Sequence, residues 1–177
     1  ALPALRRAGG TIDSSCGLHV HHDASRITTR GLAALVGAYG LYQDVINSIL
    51  PPSRRSVAEY TAPITYADYL QSMDVINTNE ARWEGWSADA PANQNGCYWG
   101  NRYSAINLSA IEAHGTVEFR QHSGTLNGTK AYWWVKLTNG FMAHITLDPE
   151  WTERKLLDYD KSWGDAMRCL LYTSDAA

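Results

Sequence analysis

Two strand-like runs hold most of the side chains that could do chemistry in this chain. His19 and His21 lie two residues apart in the first, and Glu118 and Arg120 lie two apart in the second. Alternate side chains of an extended strand share a face, so each pair points to one side of its strand. Neutral imidazole is a ligand for borderline or hard divalent ions, and a carboxylate adds a hard oxygen that suits magnesium or manganese. A planar guanidinium forks onto phosphate or carboxylate oxygens. A metal ligand beside a phosphate clamp is what phosphoryl transfer requires, because there the protein positions the phosphates and neutralises developing charge.

Each feature taken singly has a plainer reading. His-x-His also fits a surface or hydrogen-bonded histidine pair, and Glu-x-Arg is routine on exposed sheet faces. By alternation His122 shares the Glu118 face and is a second-tier candidate. His22 is expected on the opposite side of its strand or at its end, and Asp23 in a turn. Arg54-Arg55 reads as a solvated face, and His114 and His144 as ordinary surface or packing residues.

Periodicity predicts the elements that hold these groups. Residues 1–7 read as the end of a helix that Gly9-Gly10 stops. Leu18 and Val20 alternate with the histidines, which is a strand with one packed face. An amphipathic helix is predicted from about Thr28 to Leu50, on the stripe Leu32, Leu35, Val36, Tyr39, Tyr42, Ile46 and Ile49. Pro51-Pro52 ends it, and Ser53 is a candidate N-cap for the next segment. A short helix is expected near Tyr66 to Met73. Residues 77–101 have no clear period and read as a long loop, a surface insertion in the first instance and a lid in the second. Arg102 to Leu108 and Thr116 to His122 alternate and read as an antiparallel hairpin with a longish loop turning at Gly115. Asn127 is a cap for a helix to about Ile145, with Trp134, Val135, Leu137, Phe141 and Met142 in its interior. A last helix is expected within Trp151 to Arg168. The resulting class is α+β, an antiparallel sheet with a polar concave face and helices over the other face.

The 177 residues suit one domain, and that length buries a core without staples. Seven Trp and ten Tyr are many for it; bulky core packing is their first use and pocket lining the second. A net charge of −3 gives no basic footprint for nucleic acid. Cys16, Cys97 and Cys169 form neither a disulfide framework nor a zinc ribbon by spacing, and read as free thiols in a reducing compartment. No run approaches the roughly 20 apolar residues of a membrane span. No secretory signal pattern is present, so a cytoplasmic protein without a membrane partner is expected. Residues 1–168 are read as one partial domain. Residues 169–177 resemble one frame of a sequencing-library adapter and are set aside.

Ser15-Cys16-Gly17-Leu18-His19-Val20-His21-His22-Asp23 resembles the Cys-Gly-Leu-His-Val-His signature of the amidoligase family, in the glutamine synthetase and glutamate–cysteine ligase superfamily. Asn101-Arg102-Tyr103-Ser104-Ala105-Ile106-Asn107-Leu108 and Gly115-Thr116-Val117-Glu118-Phe119-Arg120-Gln121-His122-Ser123-Gly124-Thr125 come after it in the same order and spacing, so the resemblance spans residues 5–146. It implies a curved, glutamine-synthetase-like half-funnel that ATP enters from one end and the substrates from the other. It implies that His19 and Glu118 bind magnesium or manganese and that His21 lies near the ATP phosphates. Arg120 would hold the transferred phosphoryl group or acyl phosphate, and Arg102 would contact phosphate or a substrate carboxylate. The implied reaction joins a small-molecule or peptide carboxylate to an amine through an acyl phosphate. The family usually opens with a Glu-x-Glu strand. None precedes Cys16, so this chain is expected to lack that strand and a neighbouring substrate segment, and to be inactive alone. Two alternatives stand beside the ligase: a metal-dependent hydrolase built on His-x-His, and a non-catalytic domain that keeps nucleotide binding.

Overall fold

The computed structural model describes residues 2–55, 61–65, 68–74, 77, 102–147 and 154–155. Helix α1 (Leu2–Arg7) ends as the double glycine predicts. Gly9 is left-handed at φ 84°. Its N–H donates to the Arg6 carbonyl while that of Gly10 donates to Leu5, the paired bonds of a Schellman stop. Strand β1 (Gly17–Asp23) comes next, and Asp23 closes the turn after it by accepting from the Ser25 N–H. Helix α2 (Thr29–Ser48) is capped by the Thr28 side chain, which accepts from the Gly31 N–H. Its stripe is buried at Leu32, Leu35, Val36, Tyr39 and Ile46, while Ile49 falls past the helix end and is exposed. After the Pro51 stop, Ser53 lies inside a 3-10 turn (Pro52–Arg54) that has no side-chain cap, contrary to the expectation that it starts a helix. Residues 68–74 are helical, as expected.

The hairpin departs from the expected one in two ways. Strand β2 is only Ile106–Asn107. Arg102 and Tyr103 are in a turn, and Ser104 instead makes an isolated parallel bridge with Ala62. That bridge takes up the Tyr103 carbonyl and the Ala105 N–H, so the antiparallel ladder cannot extend back to Arg102. The connection also contains helix α3 (Ala110–His114), ended by Gly115 at φ 67° with its N–H on the Ile111 carbonyl. A Cβ at Gly115 would meet nothing within 4 Å, so a side chain there is opposed only by backbone conformation. Gly115→Ala is therefore expected to lower stability by about 1–2 kcal/mol in a urea titration. An unchanged midpoint would show that the turn relaxes.

Strand β3 (Thr116–Ser123) is the middle strand of an open, antiparallel three-stranded sheet in the order β1-β3-β2. Helix α4 (Gly128–Leu147) begins where expected, with Asn127 Oδ1 accepting from the Thr129 and Lys130 N–H groups. Val20, Ile106, Val117 and Phe119 line one sheet face and pack with α2 and α4 in a single core. The fold is thus α+β, with both long helices on one side of the sheet. Along α4 the buried residues are Trp134, Thr138, Met142 and Ile145. Val135 and Leu137, expected inside, lie on the flanks of that stripe and are exposed, since the helical period turns them away from it. Among the described residues no helix is long and apolar enough to cross a membrane. Of residues 77–101 only Asn77 is described, and of the last predicted helix only 154–155. Cys97, Cys169 and the 169–177 tail lie outside the described residues.

Candidate functional site

The middle strand brings the two chemical pairs together. Across the sheet Glu118 faces His21 of β1 on one side and Asn107 of β2 on the other. Its Oε1 accepts from Arg120 Nη1 at 2.8 Å and lies 2.8 Å from His19 Nδ1 and 3.6 Å from His21 Nε2. Its Oε2 accepts from Asn107 Nδ2 at 2.6 Å, and Asn107 Oδ1 in turn accepts from Ser109 Oγ. The side chains of Glu118 and Arg120 are 7% and 11% exposed, whereas those of His19 and His21 are 36% and 41% exposed. An ion pair therefore forms the floor and two imidazoles form the mouth. His21 Nδ1 is 2.8 Å from Thr116 Oγ1, and its ring stands edge-on to His114.

The electrostatics follow from burial and partners. Burial by itself would raise the Glu118 carboxyl, but hydrogen bonds from Asn107 and Arg120 and the neighbouring positive charge outweigh it. The group is held below the ordinary carboxylate range and is ionised at neutral pH. His19 is held below the ordinary histidine range, by burial first and by the Arg120 charge second, against the pull of Glu118. Burial likewise lowers His22, and it lowers His122 despite a bond to the Ser123 carbonyl. Unfolded histidines take up protons near about pH 6.5, and these three do so only at lower pH when folded. Unfolding therefore binds protons in that window, and the stability they contribute is complete above it and lost as pH falls through it. Melting temperatures are expected to drop steadily from about pH 7 to about pH 5. A rise over that interval would contradict the burial of these rings.

An irregularity in the β1–β3 ladder decides which residues join the cluster. Leu18 pairs with His122 and Val20 with Phe119, so His19 alone spans Arg120 and Gln121. This is a β-bulge with the extra residue in β3. Arg120 stays with Glu118, but His122 comes level with core-facing Leu18 and packs its ring 5.1 Å from that of Trp134 on α4. The expectation that His122 shares the Glu118 face is thus overturned. His22 sits on the helix side as expected, 2.8 Å from Thr138 Oγ1. Arg102 is exposed in the turn before β2, its guanidinium 5.1 Å over the Tyr103 ring, and is not one of the groups that meet at Glu118.

Arg54 corrects a second expectation. It is only 5% exposed, and its Nη2 donates to the carbonyls of Ser14 and Cys16, so it braces the entry to β1 instead of facing solvent. The Cys16 carbonyl also accepts from the Gly124 N–H at 2.6 Å. An alanine methyl at Gly124 would lie 2.5 Å from Cys16 Cβ, so the close approach of the first and third motifs requires glycine there. Asn107, Ser109, Thr116 and Arg54 are site residues to which the sequence alone assigns no role. For Asn107 the available signal is its place in the second motif, and for Thr116 its parity with Glu118.

The donor set meets part of what a divalent ion needs. The Glu118 carboxylate supplies the hard oxygen that magnesium or manganese takes, whereas imidazoles favour softer ions such as zinc or iron over magnesium. Against a complete protein cage, Oε1 is shared with Arg120. No group of three or more His, Cys, Asp or Glu among the described residues is placed to hold an ion.

A helix-backed antiparallel sheet with an anchored guanidinium and two imidazoles on its open face is an α+β protein with a polar site on one sheet face. The family model described as "putative amidoligase enzyme" matches residues 1–142, and the chain belongs to that family. Membership makes it a protein of ligase type. No curated protein and no solved structure matches the chain.

Proposed function

We propose that the Glu118 cluster is the phosphate-handling end of an ATP-dependent carboxylate–amine ligase, within a glutamine-synthetase-like half-funnel. The observation that carries this reading is Arg120 fixed by Glu118 beside two imidazoles on the open sheet face, in a chain of the amidoligase family. Glu118 and His19 would hold magnesium or manganese, which supplies charge neutralisation to the ATP phosphates when bound. His21 lies at the mouth, where it meets phosphate oxygens. Arg120 keeps one Nη donor on Glu118, and its planar fork offers its outer donors to the transferred phosphoryl group. Because Glu118 anchors it, that guanidinium needs no reorganisation as charge develops. Arg102, exposed at the edge, is assigned to a substrate carboxylate or phosphate. The carboxylate would be activated as an acyl phosphate, and an amine would then displace phosphate to form the amide.

Calorimetric titration of ATP into the full-length protein with and without magnesium, followed by a hydroxylamine trap over a panel of carboxylates, tests the proposal. Magnesium-dependent binding and ATP-dependent hydroxamate formation are expected. Absence of nucleotide binding in either magnesium or manganese, or metal-dependent hydrolysis that ignores ATP, would overturn it.

A further inference from the structure

A cleft of about 770 Å³ lies between the end of α2 and the first turns of α4, on the helix side of the sheet and away from the Glu118 cluster. That volume is within the range of small-molecule sites. Its apolar wall includes Ile49, Trp133 and Leu137, which are 64%, 62% and 42% exposed. Large apolar side chains gathered on an exposed surface commonly mark a binding groove. Among the described residues the polar lining is Ser48, His122, Ser123, Thr129 and Lys130, with no carboxylate. The bond between His122 Nδ1 and the Ser123 carbonyl makes Nδ1 the donor, leaving Nε2 as an acceptor in the neutral ring. Lys130 and Arg54 both place positive charge near His122. One end of the cleft is therefore aromatic and aliphatic, and the other carries positive charge with no acidic group among the described residues that line it.

We infer that this cleft binds a small amphipathic anion, an aryl or arylalkyl carboxylate, with its ring against Trp133 and Leu137 and its carboxylate toward Lys130. The complementarity is specific in sign. A cationic ligand would meet Lys130 with no carboxylate among the described lining residues to neutralise it, and a wholly polar one would leave the indole wall uncovered. The inference stands apart from the ligase reading, since none of its residues belongs to the Glu118 cluster.

Ligand-observed NMR titration of the full chain with phenylbutyrate, against phenylbutanol as the neutral counterpart, tests it. Saturable binding of the acid, tighter than that of the alcohol, is expected. Trp133→Ala should weaken it about tenfold by removing the aromatic wall. Lys130→Met should weaken it about threefold to fivefold, as befits an exposed cation, and should erase the preference for the acid. Both side chains are exposed, so the variants retain the fold, which circular dichroism checks. No saturation, equal binding of acid and alcohol, or two variants that bind like the parent would each overturn the inference. So would a dimer that Trp133→Ala dissociates in a parent chain that takes up no probe, because the cleft would then be a surface for a second copy.

Discussion

Replacing Glu118 with alanine is expected to cost about 3–5 kcal/mol of stability, because it leaves a nearly buried guanidinium without its counter-charge. The carboxylate accepts from Arg120 on Oε1 and from Asn107 on Oε2, and His19 closes on the same oxygen as Arg120. Removing it strands these groups together instead of deleting a single bond. Glu118→Gln keeps the volume and one acceptor but substitutes an amide N–H₂ for the second, so it faces either Arg120 or Asn107 with a donor. It should therefore lie between the parent and the alanine variant in a urea titration. Under the ligase reading either change also lowers turnover by about a hundredfold to a thousandfold, the usual effect of losing one preorganised electrostatic contact. An alanine variant as stable as the parent would mean that the floor of the site is solvated, and would remove the argument that Arg120 is held in advance.

The second large effect is expected at Gln121, on the far side of the same strand. It is fully buried and bridges two residues of α2, accepting from the Tyr39 hydroxyl and donating to Asn47 Oδ1 at 2.7 Å. Burial pushes the Tyr39 hydroxyl far up, so it remains a donor at every accessible pH. Gln121→Leu leaves that donor and the Asn47 acceptor unpaired in the interior, each at about 1–3 kcal/mol. A loss of about 2–6 kcal/mol is expected in chemical denaturation. The double variant with Tyr39→Phe should lose less than the sum of the two single variants, because the second change removes a group the first had stranded. Strict additivity would show that the bridge is not a functional contact in solution. Gln121 also fixes β3 to α2, and thereby fixes the strand that carries Glu118 and Arg120.

The chemistry of this chain is legible wherever alternation runs unbroken. His19 with His21, and Thr116 with Glu118 and Arg120, fall on the faces that their spacing predicts. That the two faces meet depends on strand register, which the motifs imply only through their resemblance to a family. His122 is misplaced by counting in twos, which assumes an uninterrupted pleat, and a bulge is set by pairing with another strand, not by the residues that form it. Asn107 belongs by pattern to a long alternating strand. The bridge between Ala62 and Ser104 leaves that strand only two residues, one of them directly opposite Glu118. Arg54 looks solvated in sequence because nothing local reveals that the turn after Pro51 packs against the carbonyls of Ser14 and Cys16. On α4 the cap at Asn127 is readable from one residue, but the choice of inward face is not, since Trp133, Trp134, Val135 and Leu137 offer apolar side chains in several directions.

The extra residue opposite His19 also sets how this region tolerates changes in chain length. β3 is the central strand, and beyond Arg120 its side chains take their facing from that one unpaired position. Deleting Gln121 would give a ladder of plain alternation in which Leu18 still pairs with His122 and Gly17 with Ser123, at the cost of the buried bridge from Gln121 to α2. His122 would keep its place beside Trp134, and Gly124 its seat against Cys16. Helix α3 is constrained by packing instead, because Ala110 and Ile111 are buried and Gly115 donates to the Ile111 carbonyl while accepting from the Ala24 N–H. A one-residue deletion at the bulge should therefore preserve the β1–β3 pairing and cost chiefly the Gln121 bridge, whereas a deletion within Ala110–His114 should remove buried core contacts.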